Sequence, residues 1–367
     1  VTDAYEAAGV DYGTLDAAKR LAMDLGAATL GLPAPRGATV VAGSIGEPAT
    51  LIEVDGLTLA VVLECLGTKS MIARDVEDQI GLDRWAAVGI DAVAAIVNDL
   101  CCAGALPLTL NAYFATGSAD WYSDSRHRSL MTGWSEACLD VGAAWVGGES
   151  PTLSGLVDPR QIDIAGSALG RVPVGAARWE GAALQSGDEI VFVASSGLHA
   201  NGASLARAVA GSPAACPGGW AEPLPSGRAF GDAVLDASVL YPALVDALYA
   251  AGVPVHYASH VTGHGWRKVM RAARSLTYRL TCLPEVPEVL SFIVSRAALG
   301  TREAYGTLNM GAGFSVFVAA GAGDAAVAAA EERGYSALLA GIVEDGPRRV
   351  VVEPLGFEFA SGELELR

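Results

Sequence analysis

LIEVDGLTLAVVLECLGTK, residues 51–69, decides the fold. Leu51–Val54 and Leu57–Glu64 are two β-rich runs on either side of Asp55-Gly56, a pair suited to a tight two-residue hairpin. The second run ends at Glu64 and passes into Leu66-Gly67-Thr68-Lys69, so the hairpin delivers a carboxylate and then a glycine turn. Working outward, residues 14–26 read as a short helix, and the Gly- and Pro-rich stretch from Gly31 to Gly46 as a connecting loop. From Trp85 to Leu100, the apolar positions Val88, Ile90, Val93, Ile96, Val97 and Leu100 follow helical spacing, with Asn98 and Asp99 at the C-terminal end. A helix over 125–142 follows, then a short strand over 144–146 that runs into Gly147-Gly148-Glu149-Ser150.

A strand over 162–170 and a loose stretch from Pro173 to Gly187 put a domain boundary near 172–175. That gives an N-terminal domain, 1–172, and a C-terminal domain, 173–367. The second domain opens with a buried strand over 189–194, ending in Ser195-Ser196-Gly197, and a helix over 201–210. Helices near 240–251, 264–274, 286–297 and 323–333 and strands near 313–320, 337–343 and 348–353 complete it. Strand and helix alternate, which predicts two α/β domains.

The 367 residues suffice for two such cores, and 51% hydrophobic residues, 18% charged residues and 44 glycines fit packed layers joined by many turns. A net charge of −17 with only 24 Lys and Arg argues against nucleic acid as a partner. Any phosphorylated ligand must then be met by local donors, helix N-termini or a divalent cation. Six cysteines with no CxxC suggest neither zinc nor a disulfide framework, and they read as reduced. Cys65 reads as a small packing residue. No basic region leads into an apolar segment and no run of 18 apolar residues occurs, so a cytoplasmic protein without a membrane partner is expected.

Five segments carry candidate chemistry. Gly67-Thr68-Lys69 could converge backbone N–H groups, a hydroxyl and an ammonium on phosphate oxygens, although so short a string is more often a turn with an exposed lysine. Asn98-Asp99 ends an apolar helix, where a carboxylate needs solvent, a hydrogen bond or a cation. Gly147-Gly148-Glu149-Ser150 presents a carboxylate from a flexible turn after a strand. Ser195-Ser196-Gly197-Leu198-His199-Ala200-Asn201-Gly202 collects more polar side chains than a cap needs. His260-Val261-Thr262-Gly263-His264-Gly265-Trp266 leads into Arg267, Lys268 and Arg271, either a solvated basic face or an anion-capturing one. No esterase elbow, HExxH or dinucleotide fingerprint accompanies them.

Taken in order, these segments resemble the aminoimidazole ribonucleotide synthetase family, also called phosphoribosylformylglycinamidine cyclo-ligases. The family strings TDGVGTK, GID…VNDL, YYATG, GGET, SSGxHSNGxSL, HxTGGG and TFNxGxG are matched in turn. Their counterparts are LECLGTK at 63–69, GIDAVAAIVNDL at 89–100, AYFATG at 112–117, GGES at 147–150, SSGLHANGASL at 195–205, HVTGHG at 260–265 and TLNMGAG at 307–313. Tyr5 and Ala8-Gly9-Val10-Asp11 are similar to the family's start.

The resemblance implies a two-domain α/β protein whose N-terminal sheets join into a barrel in a homodimer, with a C-terminal α/β sandwich. It also implies ATP with Mg2+, and an ATP-dependent ligase of purine biosynthesis that phosphorylates the formyl oxygen of formylglycinamidine ribonucleotide and closes an imidazole ring.

Carried over, Gly67, Thr68 and Lys69 would hold phosphates. Asp99, Glu149, Glu64 and Asp91 would hold or orient magnesium, with Asn98 beside them. Ser195, Ser196, Gly197, His199 and Asn201 would line the substrate side, with Lys69, His199 and Glu64 as catalytic groups. Thr262, Gly263 and Gly265 would form an anion loop, and Asn309 with Gly311 and Gly313 a second turn. Glu64 and Cys65 replace the family's Asp-Gly, and His264 a glycine, so a relative acting on a different amide or phosphate acceptor is the alternative.

Overall fold

A computed structural model describes residues 12–364. Tyr5 and Ala8–Asp11 lie outside them. Helix α1 (Tyr12–Ala27) is followed by β1 (Ala38–Val40), β2 (Thr50–Val54), β3 (Leu57–Cys65), α2 (Lys69–Ile80), α3 (Trp85–Cys101), β4 (Leu106–Thr116), α4 (Ser125–Asp140), β5 (Ala144–Glu149) and β6 (Ile162–Arg171). These strands form a sheet ordered β1-β2-β3-β6-β4-β5. The β2–β3 hairpin turns at Asp55 and Gly56, with φ of 50° and 76°, the left-handed pair that matches strand twist. Neighbouring strands run antiparallel except β4 and β5.

The second half contains β7 (Glu189–Ala194), α5 (Ala203–Ala210), α6 (Phe230–Val234), α7 (Pro242–Ala250), β8 (Val255–His260), β9 (Leu276–Leu280), α8 (Glu288–Arg296), α9 (Thr301–Thr307), β10 (Ala312–Val318), α10 (Gly323–Glu331), β11 (Ala337–Asp345), β12 (Arg349–Val352) and β13 (Phe357–Ala360). Its sheet is ordered β13-β12-β9-β11-β7-β10-β8, with only β12 and β9 parallel. The helix expected over 264–274 is instead a 3-10 turn at Gly265–Met270, entered through a left-handed His264. Strands β1, β4, β8, β9 and β13 and helices α2, α6 and α9 are additions to the expected elements, β1 falling within the stretch expected as a connecting loop.

Helix α3 joins the two halves. Its apolar side packs Val93, Ile96, Val97 and Leu100 into the core, while Asn98 at its C-terminal end binds the second half. The Asn98 amide donates to Val239 O at 2.9 Å and its carbonyl oxygen accepts from Tyr241 N at 2.9 Å. Deeper in the same junction Lys69 and Asp91, both wholly buried, pair at 2.6 Å. Asp91 also accepts from Ser238 N at 2.8 Å and Ser238 Oγ at 2.5 Å. Val61 and Leu63 of β3 lie on the uncovered face of the first sheet and are exposed. Among the described residues no helix is long and apolar enough to cross a membrane.

Candidate active site

A cavity of about 720 Å³ opens at the junction of the two halves. Two helix N-termini face it. Gly67 (φ 71°) and Thr68 lead into α2, and Gly202 (φ 101°), Ala203 and Ser204 begin α5. Neither helix has a side-chain cap; in the first turn of α2 Met71 N donates back to Thr68 O at 3.1 Å, and the N–H groups at the very start of both helices have no capping side chain to meet them. Thr68 Oγ1 and Ser204 Oγ lie 3.3 Å apart, which brings the two turns together.

Glu64 and Asp99 occupy another part of the same wall. Burial, then the neighbouring Asp99 charge, pushes the Glu64 carboxyl up to about 7. Burial also works to raise Asp99, but a hydrogen bond and charge from His260, with Lys268 and Arg271 nearby, outweigh it and hold Asp99 below its ordinary value. The His260 contact is short, Nδ1 to Asp99 Oδ1 at 2.9 Å. Lys268 is drawn down to about 7 by burial and by Arg271, against the pull of Asp99 and Glu64. Arg271 is anchored at the rim by Glu47 at 3.2 Å and Gly46 O at 2.7 Å. The basic side chains Lys268 and Arg271 therefore line the cavity.

The expected site residues divide by this geometry. Gly67, Thr68, Glu64, Asn98, Asp99, His199, Asn201, Thr262 and Gly263 line the cavity. Lys69 does not: its ammonium points away to Asp91 and to Asp236 O, 3.3 Å off. Asp91 is thereby spent, which corrects its assignment to the metal.

Glu149 is also set apart. The register Cys65↔Ala165↔Tyr113↔Glu149 puts it on the face shared with Cys65, opposite to Glu64, and three strands away, on the order of 14 Å. Ser195 Oγ donates to Asn309 at 2.8 Å and Ser196 Oγ to Ala237 O at 2.6 Å, so both hydroxyls hold the loop. Asn309 donates to Gly197 O at 2.8 Å and accepts from Gly311 N at 3.0 Å, pinning the turn from behind. Gly265 packs tightly against the chain at Tyr305 and Leu308. Cys65 is exposed at the cavity edge, and partial desolvation of its thiol, then the Glu64 and Asp163 charges, raises it above its ordinary value.

Magnesium is commonly held by one or two carboxylates together with substrate phosphates and water. Glu64 and Asp99 fit that habit, since a divalent cation would offset the burial and the Asp99 charge that raise the Glu64 carboxyl. Among the described residues no group of three His, Cys, Asp or Glu side chains is set to enclose a metal. Sequence reasoning overlooked Lys19, Glu47, Ser204, Ser238 and His260 as lining residues. His260 was legible as the first residue of HVTGHG and Ser204 as part of SSGLHANGASL; Lys19, Glu47 and Ser238 carry no local signal.

Two family models cover most of the chain: the AIR synthase related protein N-terminal domain matches residues 46–172 and the corresponding C-terminal domain residues 185–353. The chain is 34% identical to a phosphoribosylformylglycinamidine cyclo-ligase of Oceanobacillus iheyensis over 74% of each chain. It is 31% identical to one of Carboxydothermus hydrogenoformans over 95% of this chain and 98% of that one. In fold it is similar to the hydrogenase maturation protein HypE in complex with ATP, with TM-score 0.59, 19% identity and coverage of 84% and 85%. It is likewise similar to AaThiL complexed with AMPPCP and TMP, with TM-score 0.55, 16% identity and coverage of 86% and 91%.

Proposed function

This chain belongs to the AIR synthase related family, and from that premise we propose that it is an ATP-dependent cyclo-ligase converting formylglycinamidine ribonucleotide to aminoimidazole ribonucleotide, ADP and phosphate. The observation that carries the reading is the convergence of two uncapped helix N-termini on one cavity wall, with the Glu64–Asp99 carboxylates on the same cavity. In a chain of net charge −17, this is where polyphosphate finds donors.

The phosphates rest on the Gly67–Thr68 and Gly202–Ser204 turns. Glu64 and Asp99 would hold magnesium, whose charge neutralises the transferring phosphoryl group. The formyl oxygen attacks the γ-phosphorus as the bond to ADP breaks. The amidine nitrogen then attacks the activated carbon and loses a proton, and phosphate departs with its oxygen. Positioning by the two turns supplies much of the catalysis. Two domains, 1–172 and 173–367, meet at this cavity in the reading.

Exposed Val61 and Leu63 on the uncovered face of the first sheet, with Trp145 and Val146 exposed on its last strand, support a homodimer through that sheet. The lack of zinc spacing and the free cysteines are in keeping with a cytoplasmic enzyme.

A second reading, the same phosphorylation on a different amide acceptor, is favoured by one observation. His264 stands where the family string has glycine, with Lys268 and Arg271 from the following turn on the same wall, and they change its charge and shape. Phosphate release from ATP and Mg2+ decides between them. Release that depends on formylglycinamidine ribonucleotide and is lost in Asp99→Asn supports the cyclo-ligase. Release with another formamide or carboxamide alone moves the assignment to the second reading.

A further inference from the structure

The two ring nitrogens of His199 have different fates. The residue is 4% exposed and held at φ 60°. Nε2 lies 3.1 Å from Ser196 N and 3.4 Å from Val239 N. A backbone N–H only donates, so Nε2 accepts from both and carries no proton. The single proton of a neutral imidazole is then on Nδ1. That nitrogen is buried without a hydrogen-bond partner, on a side chain that lines the cavity.

We propose that His199 serves as a fixed, neutral hydrogen-bond donor, its Nδ1–H directed to an unprotonated oxygen of the bound ligand, carbonyl or phosphoryl, and that it transfers no proton. The proposal rests on the reading of this cavity as the site of ATP and an amide substrate. A buried donor without a partner is unfavourable until a ligand supplies an acceptor, which ties the cost to the empty cavity and the gain to binding.

The surroundings agree. Protonating Nε2 would turn an N–H against two others. Burial, and then the charges of His260 and Lys69, hold the imidazole well below its ordinary value. The ring packs directly against β10 at Gly313: a Cβ there would lie 2.9 Å from His199 Cε1, and would also strike the Tyr241 hydroxyl that donates to Ala194 O. Gly313 is thus the space the ring needs.

The test uses the full chain with 15N-labelled histidine, His199 being assigned from the signal lost in both His199→Asn and His199→Gln. The expected spectrum shows the proton on Nδ1, unmoved from pH 5 to 8. The Nδ1 signal then shifts on saturation with either ATP–Mg2+, identifying a phosphoryl acceptor, or formylglycinamidine ribonucleotide, identifying a carbonyl. A proton on Nε2, a ring that titrates in this range, or a signal that neither bound ligand moves overturns the proposal. In kinetics, His199→Asn keeps an N–H near the place of Nδ1 with nothing to ionise. It is expected to retain kcat within roughly tenfold and the wild-type pH profile, while His199→Ala loses about 10²–10³-fold. Equal losses in the two, with wild-type melting, also overturn it. Failure of the substrate reading looks different: no turnover, with the proton still on Nδ1.

Discussion

Replacing Lys69 with methionine separates a structural lysine from a phosphate-binding one. Lys69 and Asp91 are both wholly buried, 2.6 Å apart, and Asp91 also receives two hydrogen bonds from Ser238 of the second half. Removing one partner of such a pair leaves a buried charge uncompensated, at a cost of about 3–5 kcal/mol. For a domain of this size that lowers the melting temperature by on the order of 10 °C. The double variant Lys69→Met with Asp91→Leu removes both charges and is expected to recover most of the loss. It leaves a residue of about 1–3 kcal/mol, because Ser238 keeps two donors without an acceptor. Differential scanning calorimetry of wild type, both single variants and the double variant reads the coupling. A Lys69→Met protein that melts like wild type but binds ATP more weakly would refute the argument, since the ammonium would then serve the nucleotide and not Asp91.

Acid should weaken the fold through His199 and His264. Burial holds His199 well below its ordinary value, and burial with Lys268 and other nearby cations holds His264 down to about 3. Below pH 6.5 the unfolded chain takes up protons that the native state refuses, so stability falls as pH drops. The slope is about 1.4 kcal/mol per pH unit for each histidine, ending for His264 near pH 3. Urea titrations at pH 7, 6, 5 and 4 check this, and a flat profile would contradict it. Gly313→Ala should cost about 1–3 kcal/mol by overpacking against His199 and Tyr241 and should depress kcat, measured by melting and turnover. Leu63→Glu, on the uncovered sheet face, should yield a monomer by light scattering with the melting temperature of the isolated subunit unchanged.

The hairpin, α3 and the β7-to-α5 junction were legible because their signals are local: an Asp-Gly turn, a 3.6-residue period and a strand ending in small polar residues. Strand β4 escaped because Pro107 and a register shift between residues 107 and 109 break its alternation. Strand β8 escaped because Val255–His260 carries two histidines and a serine among its six residues. At the site, the motif strings located the right segments but could not orient the side chains. Gly-Thr-Lys reads the same whether Lys69 faces a phosphate or turns inward to Asp91. Glu149 ends β5, where the sequence reads a turn, and strand parity puts it on the other face from Glu64, a fact that resides in the register across three strands. Lys268 and Arg271 read as a basic stretch, and only the packing of the 3-10 turn on β8 and β9 directs them to the cavity.

A crystal structure with a non-hydrolysable ATP analogue and Mg2+ tests most directly whether this cavity handles phosphate. The account predicts the β- and γ-phosphates between the Gly67–Thr68 and Gly202–Ser204 turns, with the metal on Glu64 and Asp99. Phosphates bound elsewhere, with Lys69 released from Asp91 to meet them or with the metal on Glu149, would contradict it.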